Sequence, residues 1–373
     1  MFLDHNMNIW HTMFAKLIPM HPGSARSETT EVRETHRFDE ASLTRHLVGH
    51  LSGFRGPLRV RQFEGGQSNP TYLLQAGSGD YVLRKKPLGT LLPTAHQIER
   101  EYRVMTALRD SGVPVPATLL MCDDLAVIGA AFFVMGCVEG RVFRHPHLLG
   151  VSPADRGAMY DDMAAVLARL HAVDVAGVGL GDYGRTGNYF ARQIDRWGRQ
   201  YRAAQTGDIP AMEHLMAWLP AHIPAGDEST IVHGDYRVEN LIFHPSEPRI
   251  VAVVDWELST LGHPLADLAY GCLTYHLSPD LLGRPVVDAD RTGIPDEATY
   301  VASYLSRTGR TSIPDWHFYL AFAMFRLASI LQGVYARGLR GNAASAEALQ
   351  RGAAAHRIAE RGWETAQGAR GLS

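Results

Sequence analysis

Three polar side chains, set at fixed intervals around short apolar runs, indicate where this chain carries out chemistry. Asp235 lies three positions after the apolar pair 231–232. Asn240 directly precedes the apolar run 241–243, and Asp255 directly follows the run 250–254. A carboxylate can accept the proton of a hydroxyl near neutral pH, and magnesium prefers oxygen ligands from carboxylates and amides. The order Asp, Asn, strand, turn, strand, Asp is therefore that of a kinase-type phosphoryl-transfer site.

A hairpin whose polar residues only cap turns is the alternative explanation for the same residues. Asp and Asn often occupy turns, so the stretch His233-Gly234-Asp235 alone would carry little weight. Here Asn240 lies five positions after Asp235, and Asp255 ends a β-branched run further along the chain. Because three separate parts of the pattern agree, it favours a phosphoryl-transfer site over a plain hairpin.

The elements that must position these residues begin with an antiparallel sheet. Residues 58–63, 71–75 and 81–85 read as strands joined by two glycine-bearing turns, which predicts a meander. A helix is predicted over residues 96–109, and two further strands are predicted at 117–122 and 131–135.

The rest of the chain is predicted to be mainly helical. An amphipathic pattern predicts a helix over residues 158–171, and helix returns over residues 316–367. The strands within residues 231–255 interrupt these helices. The fold class that we expect is α+β: a two-lobed protein-kinase-like fold with a small antiparallel β-rich N-lobe that has one helix and a larger helical C-lobe.

Three segments follow from this pattern. Residues 1–37 form an N-terminal extension that is predicted to be mobile, as the polar stretch 21–36 indicates. Residues 38–136 form the nucleotide-binding N-lobe, and residues 137–373 form the C-lobe with the catalytic loop and the acceptor site. The reaction is expected in the cleft between the lobes, where ligand pockets commonly form.

Composition narrows the function classes. The 373 residues are 46% hydrophobic and 20% charged, as in an ordinary globular protein, and the net charge is −3. No nucleic-acid partner is expected, because such binding needs a basic face. The three scattered cysteines indicate neither a zinc site nor a disulfide framework, so we expect a cytoplasmic protein. We read no stretch as membrane-spanning, and we expect a monomer or a homodimer.

Four motifs resemble those of the aminoglycoside phosphotransferase family, which shares the protein-kinase-like fold. Within that family, the chain is most similar to the kinase domain at the front of acyl-CoA dehydrogenase family members ten and eleven. The resemblance covers about residues 38–340. The motifs are FEGGQSNPTY at 63–72, YVLRKKP at 81–87, DWELST at 255–260 and QGVY at 332–335.

The resemblance implies a reaction that uses ATP and Mg²⁺. It implies that Asp235 is the catalytic base and that Asn240 and Asp255 are the magnesium ligands. It also implies that a glycine-bearing loop closes over the phosphates, because backbone amides can approach anionic oxygens closely where no side chain obstructs them. The residues of this loop are Gly65, Gly66, Ser68 and Asn69.

One residue departs from the kinase pattern, which places a Lys at the end of the third strand to bind phosphates. Here the strand ends in Arg84-Lys85. Side chains alternate between the two faces of a strand, so Val82 and Arg84 share a face. If Val82 lines the adenine pocket, Arg84 reaches the phosphates and can grip them with two donors. We therefore favour Arg84 over Lys85, with Glu101 as its carboxylate partner and Glu99 as the alternative.

The acceptor is predicted from charge and from the resemblance. Residues 271–373 contain eleven arginines and nine acidic residues, a balance that disfavours a polycation and tolerates an anion. The similar subgroup is implied to act on hydroxyacyl-CoA. We therefore expect transfer of the γ-phosphate of ATP to a hydroxyl of a small metabolite, with a hydroxyacyl-CoA-type substrate as the best candidate. The alternatives are an aminoglycoside or other small-molecule kinase, and a nucleotide-binding pseudokinase module.

Overall fold

A six-stranded antiparallel sheet builds the N-lobe. The computed structural model describes residues 23–24, 29–63, 69–87, 97–282, 291–339 and 346–368. The strands of this first part are β1 (Gly23–Ser24), β2 (Thr29–Thr30), β3 (Leu58–Phe63), β4 (Thr71–Ala76), β5 (Gly79–Lys85), β6 (Thr118–Cys122) and β7 (Phe132–Gly136). The order in the sheet is β2-β3-β4-β5-β7-β6, and all neighbours are antiparallel. The predicted meander and the two strands after it are confirmed.

Helices cover this sheet. They are α1 (Glu40–His50), α2 (Ile98–Leu108) and the single-turn α3 (Leu125–Ile128). Asp39 starts α1 by accepting a hydrogen bond from the Ser42 amide at 2.8 Å. Leu43 and Leu47 of α1 are fully buried in a hydrophobic cluster with side chains of the sheet. Among the described residues, the N-lobe therefore holds three helices: the one predicted at 96–109, α1, which the pattern that starts at Phe38 predicts with Asp39 as its cap, and the short α3.

Helix α2 lies between the sheet and the C-lobe. Val104 and Leu108 are buried in a hydrophobic cluster that they share with helices of the C-lobe. Arg100 donates to the carbonyl oxygen of Tyr183 at 2.6 Å, and its guanidinium lies 4.1 Å from the centroid of the Tyr183 ring. These contacts fix the helix that carries Glu101 against the C-lobe.

Helices dominate the C-lobe, as predicted. They are α4 (Pro153–His171), α5 (Tyr189–Ala204), α6 (Pro210–Ala221), α7 (Pro264–His276), α8 (Glu297–Thr308), α9 (Trp316–Leu339) and α10 (Ala346–Ala366). The remaining strands are β8 (Arg141–Val142), β9 (Thr230–Val232), β10 (Leu241–Phe243), β11 (Ile250–Val253) and β12 (Thr260–Gly262). They form two small sheets with the orders β1-β8-β10-β11 and β12-β9.

Helix α9 is long and strongly apolar. By length and composition it could cross a membrane, which we did not expect from the sequence. However, 94% of its most apolar window is buried inside the protein, where it packs against α5, α7 and α10. This is the environment of a core helix. One cation, Arg326, lies buried at its middle.

Parts of the N-terminal extension pair with strands. Within the stretch 21–36, β1 pairs with β8 and β2 pairs with β3, whereas residues 21–22 and 25–28 lie outside the described residues. The mobility of the extension stays a prediction. The amide of Arg33 also donates to the side chain of Gln62 at 3.0 Å. The free backbone groups of an edge strand bind such a segment whatever its side chains, so polar composition did not reveal the pairing. The division of the chain at residues 37 and 136 stays a prediction.

Candidate active site

The catalytic loop is held through its backbone. The amides of His233 and Gly234 donate to the two carboxylate oxygens of Asp267 on α7, at 2.5 and 2.8 Å. Gly234 has a φ of +83°, and a Cβ at this position would lie 2.8 Å from the carbonyl oxygen of Leu258. The loop therefore needs a glycine here, and the buried carboxylate of Asp267 braces it.

Asp235 and Asn240 are in direct contact. The side-chain amide of Asn240 donates to Asp235 Oδ2 at 2.7 Å and to the Asp235 carbonyl oxygen at 2.9 Å. A short 3-10 helix, Val238–Asn240, closes the turn between them. Because the Nδ2 hydrogens are directed at Asp235, Asn240 presents its Oδ1 as an oxygen acceptor. The five-residue spacing thus brings a carboxylate and a carboxamide together.

The pairing of β10 with β11 brings Asp255 to the same place. The Val254 amide donates to the Asn240 carbonyl oxygen at 2.9 Å, so the residue after β11 lies beside the residue before β10. Asp255 has a φ of +68° and a ψ of +59°. This left-handed conformation is uncommon outside glycine, although Asp tolerates it. Such backbone strain is often retained at functional sites.

Arg84 joins the two lobes at the cleft. Its Nε lies 2.9 Å from Glu101 Oε2, and its Nη2 lies 3.1 Å from Asp255 Oδ1 and 3.2 Å from Glu257 Oε2. Glu101 comes from α2, whereas Asp255 and Glu257 come from the segment after β11. Glu257 was not among our predicted site residues. A single guanidinium therefore serves three carboxylates.

Lys85 and Glu99 lie elsewhere. Lys85 is only 1% exposed, and its Nζ lies on the opposite face of the sheet, 5.9 Å from the centroid of an aromatic ring. Glu99 is half-exposed and pairs with Lys86 at 2.5 Å. Strand alternation and helix phase therefore turn Arg84 and Glu101, and not these two residues, toward the cleft.

The loop that we predicted to bind the phosphates is described only at its end. The side chain of Asn69 is buried and donates to Glu101 Oε1 at 3.1 Å. Asn69 therefore supports the carboxylate that holds Arg84, and its contact with a nucleotide stays a prediction. Gly65, Gly66 and Ser68 lie outside the described residues.

Burial and neighbouring charges shift the pKa values of the carboxyl groups in the site. Burial raises the pKa of Glu101 to about 7, although the Arg84 guanidinium acts against this rise. Burial and the Asp255 carboxylate raise the pKa of Glu257 well above its ordinary value. Burial also raises the pKa of Asp235. Carboxylates crowded around one guanidinium form a set that a divalent cation would stabilise.

An ion pair within the catalytic loop was missed by sequence reasoning. Arg237 Nε lies 3.2 Å from Asp235 Oδ1, and its Nη1 lies 3.4 Å from Glu239 Oε1. Burial opposes the charge, but the two carboxylates raise the pKa of Arg237 above its ordinary value. The sequence did contain a signal for this ion pair: an Arg and a Glu lie on either side of Val238, inside a loop flanked by apolar strands.

An apolar cleft opens from these residues between the lobes. It encloses about 1210 Å³, including space open to solvent. Its apolar walls come from Val82, Phe133 and Met135 on one side and from Val142 and Ile242 on the other. The pairing of β5 with β7 sets Val82 opposite Met135. An apolar slot with a charged end has the shape and polarity that suit a base and its phosphates.

Comparison with known families decides where the chain belongs. A model described as a phosphotransferase enzyme family matches residues 59–305, which include Asp235, Asn240 and Asp255. The chain belongs to this phosphotransferase family. The match extends across both lobes and confirms the family and the kinase-like fold that the motifs predicted.

The subgroup resemblance is confirmed by two relatives. Acyl-CoA dehydrogenase family member 10 from Mus musculus is 46% identical over 352 residues, which is 93% of this chain and 33% of that protein. Acyl-CoA dehydrogenase family member 11 from Gallus gallus is 47% identical over 346 residues, which is 90% of this chain and 44% of that protein. The phosphotransferase chain thus spans less than half the length of these relatives.

Solved structures share the fold. A protein from Ralstonia eutropha JMP134, provisionally assigned as an aminoglycoside phosphotransferase, is 51% identical with a TM-score of 0.81, covering 90% of this chain and 100% of that one. Spectinomycin phosphotransferase in complex with ADP and spectinomycin is 13% identical with a TM-score of 0.59, covering 88% and 98%. At the second identity the likeness concerns the fold alone.

Proposed function

We propose that this phosphotransferase moves the γ-phosphoryl group of ATP, with Mg²⁺, to a hydroxyl of a small metabolite. The observation that carries the proposal is the contact set at the polar end of the cleft. Asn240 Nδ2 lies 2.7 Å from Asp235 Oδ2, and Arg84 Nη2 lies 3.1 Å from Asp255 Oδ1. A carboxylate that can accept a proton, two oxygen groups that can bind magnesium and a guanidinium that can donate hydrogen bonds to phosphate therefore lie close together.

The donor set fits magnesium. Asn240 presents Oδ1, and Asp255 has a second carboxylate oxygen besides the one that Arg84 contacts, so both offer the hard oxygens that magnesium prefers. Within the described ranges, no group of three or more His, Cys, Asp and Glu is arranged to hold a metal. Two protein ligands suffice where phosphate oxygens and water complete the shell. Asn240 and Asp255 would hold the magnesium, which would offset the negative charge of the phosphates when bound.

Arg84 and Asp235 perform the remaining tasks. Arg84 donates to the phosphates while Glu101 keeps its guanidinium in position. Asp235 accepts the proton of the attacking hydroxyl and directs its oxygen toward the phosphorus. Burial raises the pKa of Asp235, which makes its carboxylate a stronger proton acceptor. Most of the rate enhancement then comes from positioning and electrostatic stabilisation.

A hydroxyacyl-CoA-type substrate is our best candidate for the acceptor. The excess of arginines over acidic residues in residues 271–373 favours an anion over a polycationic aminoglycoside. The similar relatives carry the name of acyl-CoA dehydrogenases, which supports a substrate linked to acyl-CoA chemistry.

The test is phosphoryl transfer by the purified chain with MgATP, followed by phosphorus NMR of the products. The acceptors are 4-hydroxypentanoyl-CoA and kanamycin-type amines, used at equal concentrations. We expect a phosphorylated hydroxyacyl-CoA and little phosphorylated amine. A strong preference for the amines would reject the acceptor class. Binding of MgATP without transfer to any acceptor would instead support a nucleotide-binding module.

A further inference from the structure

Two arginines lie beside the catalytic loop and have no part in the site described above. Arg196 on α5 and Arg326 on α9 both contact the ring of Trp197, with their guanidinium carbons 5.2 and 5.5 Å from its centroid. Arg326 Nη2 also donates to the carbonyl oxygen of Gly234 at 2.6 Å. Because Gly234 precedes Asp235, Arg326 lies next to the proposed base.

Arg196 has no acidic partner in the described part of the chain, whereas the charge of Arg326 acts on the nearby Asp235 carboxyl and counteracts the rise of its pKa. In the part of the chain that the structure describes, the neighbouring ion pairs use other arginines, and neither Arg196 nor Arg326 forms one. Burial and the charge of Arg326 lower the pKa of Arg196. A guanidinium that is partly removed from water and is repelled by a second positive charge is unfavourable unless an anion compensates it.

Arg326 lies at a position in α9 where a positive charge is costly. The residue is 7% exposed, at the middle of a helix whose most apolar window is 94% buried. A neutral donor would satisfy the Gly234 carbonyl oxygen, so that hydrogen bond does not by itself account for a full positive charge at this place. Asp235 offsets part of the Arg326 charge. A negative group that enters from outside the chain would offset the charge of the partly exposed Arg196.

A third polar group faces the same place. Tyr189 lies two helical turns before Arg196 on α5, hence on the same face of that helix. Its phenol is within electrostatic range of both guanidiniums. Arg196 is partly exposed and Arg326 is buried. The group therefore has an outer end that solvent reaches and an inner end at the catalytic loop.

We propose that Arg196 and Arg326 bind an anionic group of the acceptor and thereby place its hydroxyl beside Asp235. This inference rests on the proposed function and narrows its substrate class to hydroxy compounds that carry a carboxylate or a phosphate. Guanidinium binds either group through paired hydrogen bonds, so both sources share one recognition chemistry.

Kinetics with matched acceptors test the proposal. The three acceptors are 4-hydroxypentanoate with a carboxylate, 4-hydroxypentanoyl-CoA with phosphates, and neutral 1,4-pentanediol. We expect Arg196→Gln to raise KM for the preferred anionic acceptor roughly 10- to 100-fold, as loss of a charge-assisted hydrogen bond does. The kcat, the KM for MgATP and the kinetics with the diol should stay unchanged. Which anionic acceptor is preferred identifies the carboxylate or the phosphate as the source.

Two variants separate binding from structure. Arg196→Lys keeps the positive charge and should recover part of the lost affinity. Arg199→Gln is the matched control, because Arg199 lies on the same helix but pairs with exposed Asp195. This control should behave as the wild type with all three acceptors. An equal effect of Arg196→Gln on the anionic and neutral acceptors would overturn the proposal.

A binding measurement keeps the test independent of turnover. With MgADP bound, titration with 4-hydroxypentanoyl-CoA or 4-hydroxypentanoate should change the tryptophan fluorescence saturably, since Trp197 contacts both guanidiniums. The change should vanish in Trp197→Phe and need higher ligand concentrations in Arg196→Gln. Absence of phosphoryl transfer together with this signal would reject the proposed function but support the anion site. Absence of the signal would reject the site even in an active enzyme.

Discussion

At the scale of single residues, the two basic side chains at the end of β5 differ in how many carboxylates lie beside their positive charges. Arg84 meets Glu101, Asp255 and Glu257 within 3.2 Å, so its charge is neutralised several times over. Lys85 is more deeply buried than Arg84, and burial lowers its pKa. A charge with carboxylates around it is useful to a phosphate site, whereas a buried ammonium that meets only an aromatic ring among the described residues costs stability.

Arg84→Lys tests the first side chain while leaving the net charge unchanged. Lysine lacks the planar fork that reaches several oxygens, so we expect kcat/KM for MgATP to fall about 10-fold. Lys85→Met is the matched control, and it should leave kcat/KM unchanged and raise the free energy of unfolding by about 1 kcal/mol. Steady-state kinetics and urea unfolding check both variants. A loss of activity in Lys85→Met with normal kinetics in Arg84→Lys would reverse the assignment.

Asp235→Asn tests the proposed base. Asparagine keeps an oxygen that accepts the hydrogen bond from Asn240 but cannot take the proton of the acceptor. We expect turnover to fall roughly 10³-fold, within the range of general-base catalysis, with unchanged affinity for MgATP. The same change at exposed Asp123 is the control and should have no effect. Near-normal turnover of the purified variant would exclude Asp235 as the base.

At the scale of elements, the start of α7 depends on a histidine that must stay neutral. Nδ1 of His263 accepts a hydrogen bond from the Leu265 amide at 3.3 Å and so caps the helix that carries Asp267. Burial lowers the pKa of His263 from 6.5 to about 4. A protonated ring would lose this acceptor, so the cap depends on the neutral ring that burial favours.

The stability of the protein should therefore fall in mild acid. The folded-state pKa lies below the ordinary value, so the unfolded chain binds the proton first. The stabilisation is complete above pH 6.5 and is lost as the pH falls to about 4, by about 3 kcal/mol at 1.36 kcal/mol per pKa unit. Urea unfolding at pH 7.5 and pH 5 should show a smaller decrease in His263→Asn, which keeps a capping oxygen. Exposed His222→Asn is the control, and equal decreases in all three proteins would contradict the prediction.

At the scale of the whole molecule, the site exists because the two lobes meet. Arg84 and Glu101 come from the N-lobe, and Asn240 and Asp255 come from the C-lobe. The contact of Arg100 with the Tyr183 carbonyl holds α2 against the C-lobe. A nucleotide in the cleft would contact both lobes, so its binding should stabilise the whole fold.

Nucleotide binding should therefore raise the free energy of unfolding in a magnesium-dependent way. At a ligand concentration of 100 Kd, the increase expected from AMP-PNP with magnesium is about 2.7 kcal/mol. Asp255→Asn keeps a residue that tolerates the left-handed backbone but removes the charge, so it should lose most of the magnesium dependence. Urea unfolding with and without magnesium measures this. Equal stabilisation in the presence of a chelator would argue against Asp255 as a ligand.

Several features of the site could be predicted from the sequence because they depend on local geometry. The five-residue step from Asp235 to Asn240 and the short hairpin up to Asp255 leave the chain few ways to separate these side chains. Strand alternation alone turns Arg84 and Lys85 to opposite faces, as the structure has them. Motif resemblance supplied the family and the fold, and hydrophobic patterning placed most helices and strands.

Only the tertiary structure decided contacts between residues that are far apart in the chain. It selected Glu101 and not Glu99 for Arg84, added Glu257 to the same guanidinium, and attached the polar N-terminal segment to sheet edges. It also brought Arg196 and Arg326, which come from two different helices, to the same Trp197 ring. Patterns within a segment report which face is buried, but not which partner covers it. That partner is set by packing of the whole chain, so the candidate anion site was visible only in three dimensions.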